Sequence, residues 1–187
     1  MIDHQRKLLF IHIARTGGTS IETALVREDW WKIDPKTKHL SASQTHRYYG
    51  ETAWRDYTTF AIVRNPWDRL VSMWSIGYWY SPDTHLKGVK PASFKDFLHT
   101  LKPHPAEIYN TLHQSEILDE PVDFILRFEN LQEEFSGMLK QRNLDEITLP
   151  TALKSERGQY REYYDDETAD LIAKTYADDI QRFHYSF

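Results

Sequence analysis

Short apolar runs alternate with amphipathic stretches in the first half of the chain. Residues 8–13 and 58–63 are almost continuously apolar, as expected of strands that are buried on both faces. Each run is followed by a polar turn and then by apolar residues at helical spacing, over 21–25 in the first case and over 70–77 in the second. The pattern therefore predicts two strand–turn–helix units built on one plan.

A third strand is predicted over residues 122–128, where apolar side chains again predominate. Helices are indicated over 94–101, with Ser93 as N-cap, over 131–139, and over 171–183. Strands that alternate with helices favour an α/β fold, with a central and mainly parallel sheet flanked by helices in three layers. Ligands of such folds bind beyond the carboxyl ends of the strands.

Composition narrows the class of protein. A length of 187 residues is about one domain on the usual scale of ~100–200 residues, so we expect a single domain over 1–187. Lys and Arg number 23 against 28 Asp and Glu, and the formal charge of -5 argues against a nucleic acid or an anionic membrane as partner. The apolar run 8–13 is too short for a signal sequence or a membrane span, which predicts a cytoplasmic protein. The oligomeric state stays open.

Metal and thiol chemistry are disfavoured by the sequence. The chain has no Cys, so disulfides, thiolate metal sites and cysteine nucleophiles are excluded. Its nine His residues show no compact spacing of the kind that binds zinc. We therefore expect no metal requirement.

Two glycines lie between the first strand and the first helix, in a segment that we call the glycine loop (residues 15–20). Glycine lets the backbone curl around an oxyanion, and the N–H groups of a first helical turn point at such an anion. Arg15 adds a permanent positive charge to this loop. The helix that follows is predicted from Thr19 as the N-cap, with Glu22 completing a capping box. The alternative to an anion site is a plain strand-to-helix turn in which Thr19 is only a cap.

The glycine loop differs from the phosphate loop of ATP- and GTP-hydrolysing proteins. That motif needs a Lys followed by Ser or Thr directly after its last glycine, whereas here the basic residue, Arg15, precedes the glycines. No acidic strand end is clearly placed to hold Mg²⁺. Phosphoryl transfer is therefore disfavoured, although an ATP-dependent small-molecule kinase stays open as an alternative.

Two segments resemble a known family. Residues 9–21 are similar to the 5′-phosphosulfate loop of sulfotransferases that use 3′-phosphoadenosine 5′-phosphosulfate (PAPS), especially those of the carbohydrate type. Residues 60–72 are similar to the segment that binds the 3′-phosphate in those enzymes. Further similarity at Gln114, at 127–131 and over 163–187 extends the resemblance along nearly the whole chain. It implies a P-loop-like fold and PAPS as the donor co-substrate.

The resemblance also implies which residues bind the donor. Arg64 and Ser72 would hold the 3′-phosphate, and the bidentate fork of an Arg suits a group with about two negative charges. In the alternative interpretation Arg64 is a surface arginine and Ser72 has no role. The residues implied on the 5′ side are those of the glycine loop, Arg15, Thr16, Gly17, Gly18, Thr19 and Ser20.

One residue departs from the family pattern. The family loop usually has Pro-Lys before Thr-Gly-Gly, and the Lys helps to stabilise the departing phosphate oxygen, whereas this chain has Ala14 and Arg15. Arg keeps the positive charge, but its wider and more rigid head need not reach the same oxygen. The difference concerns catalytic efficiency more than nucleotide binding.

His39 is the candidate catalytic base, because a His shortly after the first helix often has this role in the family. A neutral imidazole, with a reference pKa near ~6.5, is suited to removing a proton at neutral pH. The alternatives are a merely packed His39 and a carboxylate base, for which Glu51, Asp56 and Glu129 are available. His12, inside the first strand, is interpreted as a core histidine that is hydrogen-bonded across strands.

Two further regions bear on substrate binding. Arg157, together with Lys154 and Ser155, lies in a polar stretch that family members often fold over the nucleotide, so Arg157 is a candidate contact of the 3′-phosphate or the adenine. The aromatic residues of Gly77–Gly88 and their neighbours fit either the core or a groove for an acceptor.

The sequence thus predicts a PAPS-dependent sulfotransferase that acts on a hydroxyl of a carbohydrate or another small molecule. The products would be a sulfate ester and adenosine 3′,5′-bisphosphate. Two alternatives remain, the ATP-dependent kinase and a non-catalytic nucleotide-binding module.

Overall fold

The computed structural model describes residues 1–77, 88–101, 113–150 and 157–187. The chain forms two compact units, one of Met1–Arg64 and Glu116–Leu153 and the other of Asn65–Ser115 and Lys154–Phe187. The central residues of the segment Gly77–Gly88, together with Lys154 and Ser155, lie outside the described residues. Organisation of 1–187 as a single domain stays a prediction.

The first unit contains a four-stranded sheet in the order β1-β2-β3-β4. Strands β2, β3 and β4 are parallel, whereas β1 is antiparallel to β2. This confirms the predicted α/β class with a mainly parallel sheet. The strand bounds are β1 (Ile2–Asp3), β2 (Leu8–Ile11), β3 (Thr58–Val63) and β4 (Phe124–Arg127).

Helices connect and follow these strands. In chain order they are α1 (Gly18–Val26), α2 (Trp30–Ile33), α3 (Ala42–Asp56), α4 (Pro66–Ser75), α5 (Phe94–Thr100), α6 (Gln114–Ile117), α7 (Leu131–Gln141), α8 (Asp166–Thr175) and α9 (Ala177–Phe183). Short 3₁₀ turns occupy Pro35–Thr37, Phe128–Asn130 and Tyr160–Tyr163. None of the helices in the described ranges is long and apolar enough to cross a membrane.

Aromatic side chains fill the core of the first unit. Phe10 of β2 stacks on Phe60 of β3, with ring centres 4.8 Å apart, and Phe60 lies 6.1 Å from Phe135 of α7. All three rings are fully buried, in keeping with the continuously apolar residues 8–11 and 60–63. This packing fixes the carboxyl ends of β2 and β3, from which the candidate site is built.

The second unit is helical in the part that the structure describes. Helix α4 begins with Pro66 after Asn65, whose side chain accepts hydrogen bonds from the next backbone N–H groups. Ser93 caps α5 as predicted, because its hydroxyl accepts from the backbone N–H of Asp96. The predicted helix over 171–183 is divided at Tyr176, which separates α8 from α9.

Candidate functional site

The glycine loop connects β2 to α1 with left-handed backbone at two positions. Arg15 has φ 67° and Gly17 has φ 87°. The hydroxyl of the buried Thr16 donates to the carbonyl of Ile13 at 2.8 Å, and the Ser20 N–H donates to the Gly17 carbonyl at 3.0 Å. These bonds close the loop into a tight turn directly after the buried strand.

Both glycines are required by close contacts. A Cβ atom at Gly18 would lie 2.2 Å from the ring of His12, and one at Gly17 would lie 3.0 Å from the ring of Phe128. The first contact is impossible for any side chain, because the His12 ring is fully packed. The loop therefore lies between two rings, and its path depends on the absence of side chains at both positions.

Helix α1 begins two residues earlier than a Thr19 cap requires. Its N-cap is Gly17, Thr19 lies inside the first turn, and no side chain caps the helix. The predicted capping box of Thr19 and Glu22 is therefore wrong. The Ser20 amide is bonded to the Gly17 carbonyl, and the amides of Gly18 and Thr19 before it have no acceptor within the helix. This end of α1 therefore presents those two N–H groups and the positive end of the helix dipole.

Glu22 is fully buried and serves a different purpose from the predicted cap. Its carboxylate accepts from the His12 ring at 2.6 Å, from the Lys38 ammonium at 2.7 Å, and from the Trp30 backbone N–H at 3.1 Å. Burial alone would raise the pKa of Glu22, but these hydrogen bonds outweigh burial and lower it to about 2. Lys38 also bonds Asp29, so a buried charged network lies beneath the loop.

His12 is the uncharged member of this network. Burial lowers the pKa of His12, although the Glu22 carboxylate acts in the opposite direction. The neutral ring donates from Nδ1 to Glu22, stacks on Phe10 and packs beneath Gly18. The expectation of a core histidine is correct, but its partner lies on α1 and not on a neighbouring strand.

His39 lies beside His12, in the segment between α2 and α3. The two rings meet edge to face, with centres 4.7 Å apart, and Nδ1 of His39 lies 2.9 Å from the His12 carbonyl oxygen. A carbonyl oxygen only accepts, so Nδ1 carries the hydrogen and Nε2 has the lone pair. Among the described residues, none forms a hydrogen bond with Nε2. Burial lowers the pKa of His39 to about 3, which keeps the ring neutral.

Trp31 borders His39 on the solvent side. Its side chain is 52% exposed, its ring centre lies 5.5 Å from that of His39, and the Lys38 ammonium lies 5.5 Å from the indole centre. The preceding Trp30 is buried and donates from its indole N–H to Thr37. Helix α2 is thus fixed by one tryptophan while it presents the other next to the candidate base.

The alternative bases are exposed. Glu51 and Asp56 lie on α3, where they pair with His46 at 2.9 Å and with Arg55 at 2.8 Å. Glu129 lies in the 3₁₀ turn after β4 and is also exposed. None of the three shares the environment of His39, whose partly buried ring is anchored to the backbone at the end of β2.

Arg64 joins the end of β3 to the glycine loop. Its side chain is only 5% exposed, and Nη1 donates to the carbonyl of Arg15 at 3.0 Å. The guanidinium carbon lies 3.9 Å from the centre of the Phe128 ring, a cation–π distance. The interpretation of Arg64 as a surface arginine is therefore wrong.

Ser72 and Arg157 belong to the second unit. Ser72 is buried in the second turn of α4. Arg157 is largely buried and forms an ion pair with Asp68, near the start of the same helix. Asp68 does not cap α4, since Asn65 does so.

Sequence reasoning missed Glu22 and Lys38 as members of a buried network. A charged residue inside an otherwise apolar helical face was the available signal for Glu22, because such residues are seldom buried without partners. Phe128 lies in the segment 127–131, for which the sequence indicated only a resemblance to the family. Its contact with the loop depends on how β3 and β4 pair. Within the described ranges, no three His, Asp or Glu side chains form a group that could hold a metal ion.

Comparison with known proteins gives the same family as the sequence motifs. A search of curated proteins found no match. A family model described as the sulfotransferase family matches residues 1–186, which is almost the entire chain. The chain therefore belongs to the sulfotransferase family.

Proposed function

We propose that the protein transfers the sulfuryl group of PAPS to a hydroxyl of a carbohydrate or another small molecule. The observation that supports this most directly is the geometry of His39, whose Nδ1 is anchored to the carbonyl of His12 at the end of β2 and whose Nε2 has the lone pair. The glycine loop follows that strand end within the same unit. The proposed proton acceptor is thus anchored at the strand end from which the proposed anion-binding loop starts.

The residues of the loop fit a phosphosulfate. Gly17 and Gly18 leave the backbone bare, the start of α1 provides N–H groups, and Arg15 supplies a permanent charge. Thr19 and Ser20 lie in the first turn and offer hydroxyls. The hydroxyl of Thr16 already donates to Ile13, so Thr16 would contribute through its backbone.

The proposed reaction is an in-line displacement at sulfur. The acceptor oxygen forms a bond to sulfur while the bond from sulfur to the 5′-phosphate oxygen breaks, and that oxygen keeps the electron pair. Nε2 of His39 takes the proton of the acceptor hydroxyl. Arg15 and the loop amides stabilise the charge that develops on the departing phosphate. The products are a sulfate ester and adenosine 3′,5′-bisphosphate.

Three further residues are proposed for the nucleotide. Arg64 and Ser72 would bind the 3′-phosphate, and Arg157 would contact the 3′-phosphate or the adenine. The charge of Arg64 is permanent, and its position at the end of β3 agrees with the edge of a parallel sheet where ligands bind. Ser72 lies in the second turn of α4, where a hydroxyl can add one donor.

The test is a calorimetric titration with adenosine 3′,5′-bisphosphate, ADP and ATP in separate experiments without Mg²⁺. We expect a clear preference for the 3′-phosphorylated ligand, and this preference should be lost in Arg64→Ala. Binding of ATP alone would contradict the proposal in favour of a kinase. Binding of none of the three would favour a degenerate module.

Catalysis is tested separately from binding. Arg15→Ala and His39→Ala should remain folded and bind adenosine 3′,5′-bisphosphate, but turnover should fall by about 10²-fold or more, since each removes a group that acts in the transition state. Turnover is measured as release of adenosine 3′,5′-bisphosphate from PAPS in the presence of an acceptor. Near-normal turnover in either variant would remove that residue from its proposed role.

A further inference from the structure

We propose that Phe128 is a positioning residue that holds the glycine loop in its binding conformation, through contacts with Arg64 on one side and Gly17 on the other. The inference rests on the proposed function, because it concerns how the same loop binds a nucleotide. It gives Arg64 a second role, in addition to the proposed contact with the 3′-phosphate.

Phe128 lies where β4 ends. It begins the 3₁₀ turn Phe128–Asn130, immediately after Arg127, the last residue of β4. Because β4 is parallel to β3, and Val63 pairs with Arg127, Phe128 and Arg64 are the next residues at the same edge of the sheet. Register alone therefore brings this ring to the side chain of Arg64.

The contact between Arg64 and Phe128 is close. The guanidinium carbon lies 3.9 Å from the ring centre, within the distance at which a cation is attracted to the face of an aromatic ring. The long side chain of Arg64 is 95% removed from solvent, and the ring restricts the orientations of its planar head. This leaves Nη1 aimed at the carbonyl of Arg15, to which it donates at 3.0 Å.

The same ring contacts the loop directly. Its Cδ2 atom lies 3.0 Å from the position that a Cβ at Gly17 would occupy, and Cδ2 of Leu131 lies 3.1 Å from that position. The ring therefore packs on the bare α-carbon of Gly17, which has φ 87°. Phe128 supports the loop at Gly17 by contact and at Arg15 through Arg64.

The two supported residues are those with left-handed backbone, Arg15 and Gly17. Backbone of this kind is unfavourable for a residue with a side chain, so Arg15 persists in it only where its surroundings hold it. A loop held in advance binds its anion without having to become ordered, which favours affinity. Loss of the ring should therefore lower the affinity for every nucleotide that binds at the loop, whether or not the nucleotide has a 3′-phosphate.

The experiment compares two ligands across matched variants. Adenosine 3′,5′-bisphosphate and adenosine 5′-monophosphate are titrated into the wild type, Phe128→Leu and Phe128→Tyr. Phe124→Leu is the control, because Phe124 is the first residue of β4, the strand that Phe128 follows, and its ring centre lies 5.0 Å from the guanidinium carbon of another arginine, Arg142. All variants are first compared by circular dichroism and thermal unfolding.

Phe128→Leu should lower the affinity for both ligands by the same factor, about tenfold. Phe128→Tyr should remain within about twofold of the wild type because it keeps the aromatic face, and Phe124→Leu should match the wild type. Should Phe128→Leu fail to fold, Arg64→Lys replaces it. Lys keeps the charge but lacks the fork, so the monophosphate should again be weakened.

Three results would overturn the inference. Equal affinities in Phe128→Leu and Phe124→Leu would show that the ring does not support the loop. Weakening of the bisphosphate alone would place the effect at the 3′-phosphate. Equal losses in Phe128→Tyr and Phe128→Leu would exclude a role for the aromatic face. If the wild type binds neither ligand, the proposed function fails first, and the role of Phe128 fails with it.

Discussion

At the scale of single residues, the glycine loop depends on what is missing. Gly18 lies against the His12 ring and Gly17 against the Phe128 ring, so one aromatic ring packs on each glycine. The His12 ring cannot move aside, because it is fully buried and bonded to Glu22. The loop conformation is therefore determined by packing as much as by the flexibility of glycine.

Gly18→Ala should destabilise the protein by about 2–3 kcal/mol, since the added methyl group overpacks a site that cannot expand. Gly137→Ala in α7 is the matched control, because a Cβ there meets nothing within 4 Å. The control should be neutral or stabilising by up to about 1 kcal/mol, as Ala is the better helix former. Urea unfolding measures both, and equal stability of the two variants would contradict the described packing.

His39 gives a prediction about pH. A base acts in its deprotonated form. Because the pKa of His39 is lowered to about 3, its ring stays neutral at pH values well below 6.5, the ordinary pKa of a histidine. We expect kcat at saturating PAPS and acceptor to stay flat between about pH 5 and pH 8, where an ordinary histidine base would cause a fall on the acid side.

The control for this profile is His46→Ala. His46 lies on the surface of α3, and its hydrogen bonds with Glu120 and Glu51 raise its pKa. Its removal should leave the profile unchanged. An acid limb in the wild type above the ordinary histidine value of 6.5, absent from His46→Ala, would show that His46 and not His39 controls turnover.

The sequence identified the residues of the loop but not those that support it. Arg15, Gly17 and Gly18 are adjacent, so a local pattern reveals them. Glu22 followed Thr19 at the spacing of a capping box, and that local interpretation was wrong because the partners of Glu22 come from β2 and from residue 38. Contacts between distant residues depend on tertiary packing, which the spacing of residues does not show.

At the scale of elements, the Glu22 network joins α1 to β2 and to the segment that carries His39. The pKa of its central carboxylate is about 2, below the ordinary 4.5. Glu22 therefore stabilises the folded state at pH values above 4.5, the pKa in the unfolded chain. This stabilisation is lost as the pH falls from about 4.5 toward 2, the pKa of Glu22 in the folded protein. The size of the shift corresponds to about 3 kcal/mol.

Glu22→Gln should therefore lower stability at pH 7 by about 3 kcal/mol, because the ammonium of Lys38 would stay buried with less compensation. The variant should also lose less stability than the wild type as the pH falls toward 2. Glu28→Gln is the control, since Glu28 pairs with Lys32 on the surface and should change stability by less than about 1 kcal/mol. Equal effects of the two substitutions, by denaturant unfolding across this pH range, would contradict the buried network.

Prediction of elements followed the strength of their hydrophobic pattern. β2 and β3 were predicted because their sequences are apolar throughout or nearly so, as expected of strands that are buried on both faces. β1 has only two residues and leaves no periodic signal. α3 was missed because its face is largely polar, although Ser41 and Gln44 form a capping box that the sequence contains.

At the scale of the whole molecule, the question is whether 1–187 unfolds as one domain. We expect one calorimetric transition whose enthalpy equals the van't Hoff value, as for a two-state domain. Adenosine 3′,5′-bisphosphate at about 100 times its Kd should raise the free energy of unfolding by about 2.7 kcal/mol and move that transition to higher temperature. Two resolved transitions, with only one shifted by the nucleotide, would contradict a single domain.

Trp31 has a consequence for how the reaction can be observed. Its indole is half exposed and borders the ring of His39, whereas its neighbour Trp30 is buried. We expect an acceptor that binds at His39 to displace water from this indole and so to move its fluorescence to shorter wavelength. Trp31 is thus an intrinsic fluorophore beside the proposed base. Subtracting the fluorescence of Trp31→Phe separates its signal from that of the other tryptophans.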